Sequence, residues 1–505
     1  MNPETAENLL PALIIVPILG ALIAFAMPAR WRSSCGLLVS VVTLAAAVLA
    51  AWGVAAHGSQ RHALGGWDAP LGIGLYLDGL SAVFVLMTAS IGLLIGLYAS
   101  AFYAQPAEQK AGNTLFWPLW LFLWGGMNGI YLSADLFNLY VVIEVAGLAA
   151  VALAILSGKP PALVAGLRYL LAAIVGSMAY LMGVALIYAE TGVLDLKLVA
   201  DALDGGPVVR VALGLMLAGL MVKTALFPLH FWLPGAHSSA QPPVSAILSA
   251  LVVKTTFYLI LRLWVDVFEG SPTYAAGQAL GALGAAAVIW GSYQALRQKR
   301  LKLVIAHSTV GQIGFMFLLF PLITVAYDGG QAPWLAHAWT GGIYQALAHG
   351  FAKAAMFLAV GVYVMAVGND EKDSMVDLVA RLPMTTFALA LAGISLIGLP
   401  PSGGFVAKWM LLKAAFASGQ WWWAPVVVFG SFLTAGYVFM ILRQAFAPAK
   451  ETIQLRPVPR IMEITALLLG LGSILIGFRA EEVLHLLDVD APFEEPAEPE
   501  EGAGP

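Results

Sequence analysis

The stretch Lys223-Thr-Ala-Leu-Phe-Pro228-Leu-His230-Phe-Trp-Leu-Pro234 closes an apolar run that begins at Val208. Proline lacks an N–H and its ring clashes with the carbonyl four residues back, so Pro228 breaks the helix and frees carbonyls from about Thr224 onward. The device recurs where Leu399-Pro400-Pro401-Ser402-Gly403-Gly404 interrupts the apolar region 383–416, with Lys408 just beyond. Two interrupted helices, one in each half of a chain this long, point to an ion site near the middle of a membrane between related repeats. The halves share no sequence identity, so the repeat rests on the paired breaks. A single break reads as a kink absorbed by neighbouring helices; a pair that both carry lysine does not.

Composition agrees with a membrane setting. Of 505 residues, 60% are hydrophobic and 11% charged, against roughly 45–50% and about 25% in a soluble domain. Hydropathy places spans near 8–28, 36–56, 78–100, 114–132, 136–156, 164–189, 208–227, 244–265, 276–296, 302–326, 337–367, 383–416, 422–446 and 461–478. These runs are too long and too continuously apolar for barrel strands, and a helix satisfies its own backbone in lipid. The expected fold is an all-α polytopic membrane protein of about fourteen transmembrane helices. Glu4 and Glu7 precede the run Leu9–Met27 where a signal peptide would carry Lys or Arg, so it reads as a retained span.

Alternate loops differ in charge. One set holds Arg30, Arg32, Lys110, Lys159, Arg297, Lys299, Arg300, Lys302, Lys372, Arg381, Arg443, Lys450, Arg456 and Arg460, whereas the other holds only Arg61, Lys197, Arg210 and Arg479. The bias puts the first set in the cytoplasm and both termini on the non-cytoplasmic side. The formal charge of −4 comes from a Pro- and Ala-rich tail with seven acids (Asp488, Asp490, Glu494, Glu495, Glu498, Glu500, Glu501), and without them 25 bases face 22 acids. The tail 488–505 reads as disordered and solvated. Nothing resembles a nucleic-acid surface. Cys35 stands alone, which excludes an intrachain disulfide, a cysteine-ligated iron–sulfur cluster and a zinc knuckle. No cofactor or metal is expected.

Seven bases fall within or at the ends of spans: Arg168, Lys223, Lys254, Arg262, Lys353, Lys408 and Lys413. A mid-membrane Lys costs roughly 2.5–3.5 kcal/mol on insertion scales, so these should face one another, an acid, or water inside the bundle. Glu144, deep in the fifth span, is the natural counter-ion of Lys223; a static salt bridge between helices is the competing reading. Lys254 lies near the centre of the eighth span, where an amine deprived of water exchanges protons more readily. His349 and Lys353 are four apart in the eleventh span and share a helical face. His307 lies near the start of the tenth, and two histidines on adjacent helices could continue a proton path from Lys254 toward Lys408. A buried histidine is also often only a hydrogen-bonded packing residue. A bis-histidine haem is disfavoured by Lys353 beside His349. Asp135 and Asp78 sit at span ends and read as helix caps or surface acids.

The run Lys223 to His237, followed by Pro242-Pro243-Val-Ser-Ala-Ile-Leu-Ser-Ala-Leu-Val-Val-Lys254, resembles the signature of the proton-conducting antiporter-like subunits shared by respiratory complex I, membrane-bound hydrogenases and Mrp-type cation/proton antiporters. The resemblance covers roughly 78–446. It implies fourteen helices with two inverted five-helix repeats and broken seventh and twelfth helices. It also implies that Glu144, Lys223, Lys254 and Lys408 occupy the family's relay positions, with His307 and His349 where members carry polar relay residues. His230 and Lys353 complete the candidate proton-transfer set. Arg168 stands where a lysine is common, Gln241 replaces a proline, and Lys408 argues against members with glutamate at that position.

The expected division is 1–112 for the first three helices, 113–266 and 275–447 for the two repeats, 460–479 for the last helix and 488–505 for the tail. With one span after Phe446, the chain looks like the medium-length type, the D-type member of an Mrp-type sodium/proton antiporter first among them. The expected protein is a non-enzymatic transporter subunit in the bacterial inner membrane, working with other membrane subunits, H+ and Na+. A pump module of a redox complex and the membrane half of an inorganic-carbon uptake system are the alternatives.

Overall fold

The computed structural model describes residues 7–105, 115–324, 332, 334–448 and 455–493. Helices α1 (Leu9–Ala26), α2 (Ala29–His57), α3 (Gly79–Tyr103), α4 (Phe116–Leu132), α5 (Leu136–Ala154) and α6 (Pro160–Thr191) lead to a seventh crossing in two pieces, α7a (Pro207–Thr224) and α7b (Leu233–Ser239). Then follow α8 (Pro242–Val267), α9 (Tyr274–Arg297), α10 (Leu301–Ile323) and α11 (Trp334–Val367). The twelfth crossing is again split, into α12a (Pro383–Ile397) and α12b (Gly403–Ala417), before α13 (Trp423–Phe446) and α14 (Arg460–Phe478). Among the described residues twelve helices are long and apolar enough to span a membrane. The 17-residue α4 and the split α12 bring the crossings to the expected fourteen.

Local chemistry sets the helix ends. Asp78, Asp135, Thr273 and Ser402 accept a backbone N–H two or three residues into the helix that each one opens. Pro160, Pro207, Pro242 and Pro383 occupy first-turn positions, where a missing N–H costs nothing. Both broken crossings stop in the same way: α7a ends on Ala225 at φ 59° and α12a on Gly398 at φ 88°, left-handed caps that turn the chain off the helix axis.

Helices α4 to α8 pack in sequence order, each on the next, and α9 to α13 do the same. Five crossings separate α4 from α9, so the second five-helix unit traverses the layer upside down relative to the first. Helices α8 and α10 are almost wholly enclosed, whereas α1, α2, α6 and α13 present rows of large apolar side chains outward.

Several short elements are not legible in the sequence. A two-stranded antiparallel hairpin, β1 (Gln60–Ala63) with β2 (Gly74–Leu77), lies between α2 and α3, and a short helix α15 (Ala480–Leu487) follows α14. The start of the expected solvated tail is packed: Gly79 N–H donates to Val489 O at 3.2 Å, Tyr76 OH donates to Asp490 at 3.3 Å, and Phe493 meets the ring of Trp339. The remainder, 494–505, lies outside the described residues.

Candidate functional site

Five of the seven span-borne bases turn inward: Lys223, Lys254, Arg262, Lys353 and Lys408 are buried. Arg168 and Lys413 are exposed, a correction to the expectation that all seven face the interior. Each lies within about three turns of a helix end, where a long stem carries its charge along the protein surface toward the polar boundary. Lys302, expected in a loop, is instead buried in the first turn of α10, and its amine donates to the Ala240 carbonyl at the end of α7b.

The Lys223–Glu144 pair depends on close helix packing. A Cβ on Gly219 of α7a would stand 2.2 Å from the Gly176 carbonyl of α6, so only glycine admits this approach. One turn further on, Lys223 Nζ reaches Glu144 Oε1 at 3.5 Å, and Ser177 Oγ donates to the same oxygen. The Lys223 side chain is 7% exposed and that of Glu144 26%. Glu144 opens onto a face of α5 that also exposes Phe137, Val141 and Leu148.

From Lys254 a string of polar contacts crosses into the second repeat. A π turn, Leu248–Val252, widens α8 just before Lys254, and the Lys254 amine donates to the Ser249 carbonyl. Ser249 Oγ bonds Thr309 Oγ1 of α10 at 2.8 Å, and Thr309 in turn donates to the Ile305 carbonyl at 3.0 Å. Lys353 Nζ donates to that same carbonyl at 3.1 Å and to Ser308 Oγ. One turn along α10 from Ser308, Gln312 Nε2 donates to the Tyr437 hydroxyl of α13 at 3.2 Å. Gln312 also reaches the Leu396 carbonyl at 3.4 Å, where Lys408 Nζ donates at 2.8 Å.

Lys408 further donates to Ile397 O at 2.9 Å and Ser431 Oγ at 3.0 Å, and lies 4.3 Å from the Phe315 ring centre. Its carbonyl partners are the last of α12a, left open by the break, at the negative end of that helix. Among the described residues, Glu144 is the only carboxylate bonded to any of these four lysines.

His349 is fully buried next to this string, under the charges of Lys254 and Lys353, and neither ring nitrogen has a partner among the described residues. His237 is in the same condition. Buried imidazoles of this kind are sites that bound water satisfies. His230 and His307 do not join the string. His230 stacks on Phe227, and His307 Nδ1 meets the Leu303 carbonyl at 3.0 Å on the opposite side of α10 from Thr309.

Asp135 caps α5 through Asn138 N–H at 2.6 Å, and burial raises its carboxyl above the ordinary value. Asp78 caps α3 as expected but is not a surface acid, since it is buried against Arg262. Among the described residues no group of three or more His, Cys, Asp or Glu could hold a metal ion.

The members missed from sequence are the neutral ones: Ser249, Ser308, Thr309, Gln312 and Tyr437, with His237. Ser308, Thr309 and Gln312 do share one face of an otherwise apolar helix, and that spacing was the available signal.

The chain belongs to the NADH:quinone oxidoreductase/Mrp antiporter transmembrane family, whose description matches residues 133–434. It is 33% identical over 442 residues to NADH-quinone oxidoreductase subunit N of Desulforudis audaxviator, covering 84% of this chain and 85% of that one. It is 30% identical over 399 residues to the D-type member of the Na(+)/H(+) antiporter of Bacillus subtilis, covering 78% of each. Its structure matches a chain of the Mrp complex from Dietzia sp. with a TM-score of 0.86 at 26% identity, over 96% of this chain and 98% of that one. The protein is therefore an antiporter-like, multi-pass component of a multisubunit membrane complex.

Proposed function

We propose that this chain is the proton-translocating subunit of a multisubunit Na+/H+ antiporter, in the position of the D-type member, with repeats at 113–266 and 275–447. The observation that carries the reading is the string from Lys254 through Lys353 to Lys408: three buried amines resting on carbonyls and hydroxyls, with no carboxylate among the described residues bonded to any of them. An amine so placed cannot be a settled structural cation, because burying it permanently charged and unpaired is costly. It can persist by passing its proton on.

Glu144 holds the proton on Lys223. When a neighbouring subunit or an arriving cation draws the carboxylate away, Lys223 releases its proton toward Lys254, and repulsion between like charges favours discharge of Lys408 at the far end. The half-open Glu144 on an apolar face of α5 supports a partner subunit there, since lipid would not tolerate the charge. The charge bias of the loops supports both termini on the non-cytoplasmic side of a bacterial inner membrane.

In the reconstituted complex, Glu144→Gln and Lys223→Ala are each expected to abolish cation-driven proton flux. Unimpaired flux in both would end the proposal. A module of a redox-driven pump is the second reading, favoured by the likeness to the NADH-quinone oxidoreductase relative. Iron or flavin in the purified native complex would select it.

A further inference from the structure

A broken helix has two ends that some contact must hold together, and the two breaks of this chain are held differently. In the second, Lys408 of α12b donates to the Leu396 and Ile397 carbonyls of α12a at 2.8 and 2.9 Å, so the lysine itself spans the gap. In the first, the indole of Trp232 spans it: Nε1 donates to the Val222 carbonyl of α7a at 2.8 Å, across ten residues. Among the described residues no other hydrogen bond joins the chain from Leu229 to Ser239 with α7a. Val222 precedes Lys223, and its carbonyl has lost its helical donor, because the Leu226 N–H turns back to Met221 O at 3.1 Å. The indole shares this carbonyl with the Ala225 N–H at 3.1 Å.

The indole is itself fixed. It is 1% exposed and lies flat on Tyr169 of α6, with ring centres 4.1 Å and planes 4° apart. The same helix donates Ser177 Oγ to Glu144 and packs Gly176 against the stem of Lys223, where an added Cβ would stand 3.3 Å from Cγ. A Cβ on Gly147 of α5 would stand 3.4 Å from Lys223 Nζ. Helix α6 therefore places both partners of the ion pair, Glu144 directly and Lys223 through Trp232.

We propose that Trp232 is the positioning residue of the first break, fixing the end of α7a so that Lys223 meets Glu144 while the lysine amine stays free of the gap. The proposal rests on the relay reading of that pair. Lys408 donates to two carbonyls and to Ser431, and the break loosens when it lets go. The Lys223 amine makes a single polar contact among the described residues, 3.5 Å to Glu144, and can part from it with the break still closed. Packing alone accounts for a buried ring on a tyrosine, but a bonded indole is not the rule in this protein. Nε1 of Trp117, Trp120 and Trp124 has no partner among the described residues.

The test is cation-driven proton flux against pH in liposomes holding the purified complex, with Trp232→Phe, Trp264→Phe, Glu144→Gln and Lys223→Ala. Trp232→Phe keeps an aromatic ring over Tyr169 and removes the N–H. Where it fails to assemble, benzothienylalanine in place of Trp232, with sulfur for the N–H, is read in the same way. Trp264→Phe loses an equivalent indole bond, 3.0 Å to Thr324 Oγ1, away from the relay. Flux should fall about fivefold in Trp232→Phe, the effect of one lost hydrogen bond. Its alkaline limb should move about half a pH unit toward lower pH, since a lysine held less firmly against its carboxylate gives up its proton more readily. Trp264→Phe should leave the profile in place even where it lowers the thermal midpoint. A profile unmoved in Trp232→Phe, or moved equally in Trp264→Phe, overturns the positioning role, and inactive Glu144→Gln and Lys223→Ala then leave the relay standing. Full flux in both of those removes the pair and its positioning residue together.

Discussion

A buried lysine is a burden to the folded protein, and Lys254 shows why it is kept. Its amine rests on one carbonyl, with no acid among the described residues bonded to it. Lys254→Met preserves most of the volume and removes the desolvated charge. The complex should gain about 1 kcal/mol or more of stability, read as a higher thermal midpoint, while proton flux is lost. A drop in the midpoint would mean that the charge is structurally paired after all. Lys, Glu and His were legible from sequence, because an ionisable residue in an apolar run stands out. Tyr437 and Gln312 were not, since either one alone fits a packed helix and only their contact with each other and with the Leu396 carbonyl places them beside Lys408.

At the scale of elements, the two breaks are what bring amines to carbonyls. Pro228 and Pro400-Pro401 announced them, but not how each helix stops. Ala225 takes a left-handed conformation that costs a residue with a Cβ about 1–2 kcal/mol. Ala225→Gly should therefore leave flux intact and stabilise the complex by up to about 1 kcal/mol in thermal unfolding, the equivalent cap Gly398 already being glycine. A destabilised Ala225→Gly would show that the Ala225 methyl, which is fully buried, packs for more than the strain it brings. The hairpin and α15 escaped the sequence reading because four-residue strands and an eight-residue helix carry too short a period to register.

For the whole molecule, orientation is open to direct measurement, because Cys35 is the only cysteine. In a Cys35→Ser background, Leu71→Cys at the hairpin should react with an impermeant maleimide from outside the cell. Lys299→Cys, between α9 and α10, should react only after permeabilisation. The reverse pattern would invert the assignment of the termini. What sequence alone determined was class and crossing number, since the hydrophobic cost of a membrane acts residue by residue and leaves its record in composition, and the proline breaks are equally local. Which amines lack an acid, which polar side chains link them, and that Asp78 belongs to Arg262 were decided only by tertiary packing. Residues as distant as 78 and 262, or 312 and 437, meet because helices cross, and no local preference encodes that meeting.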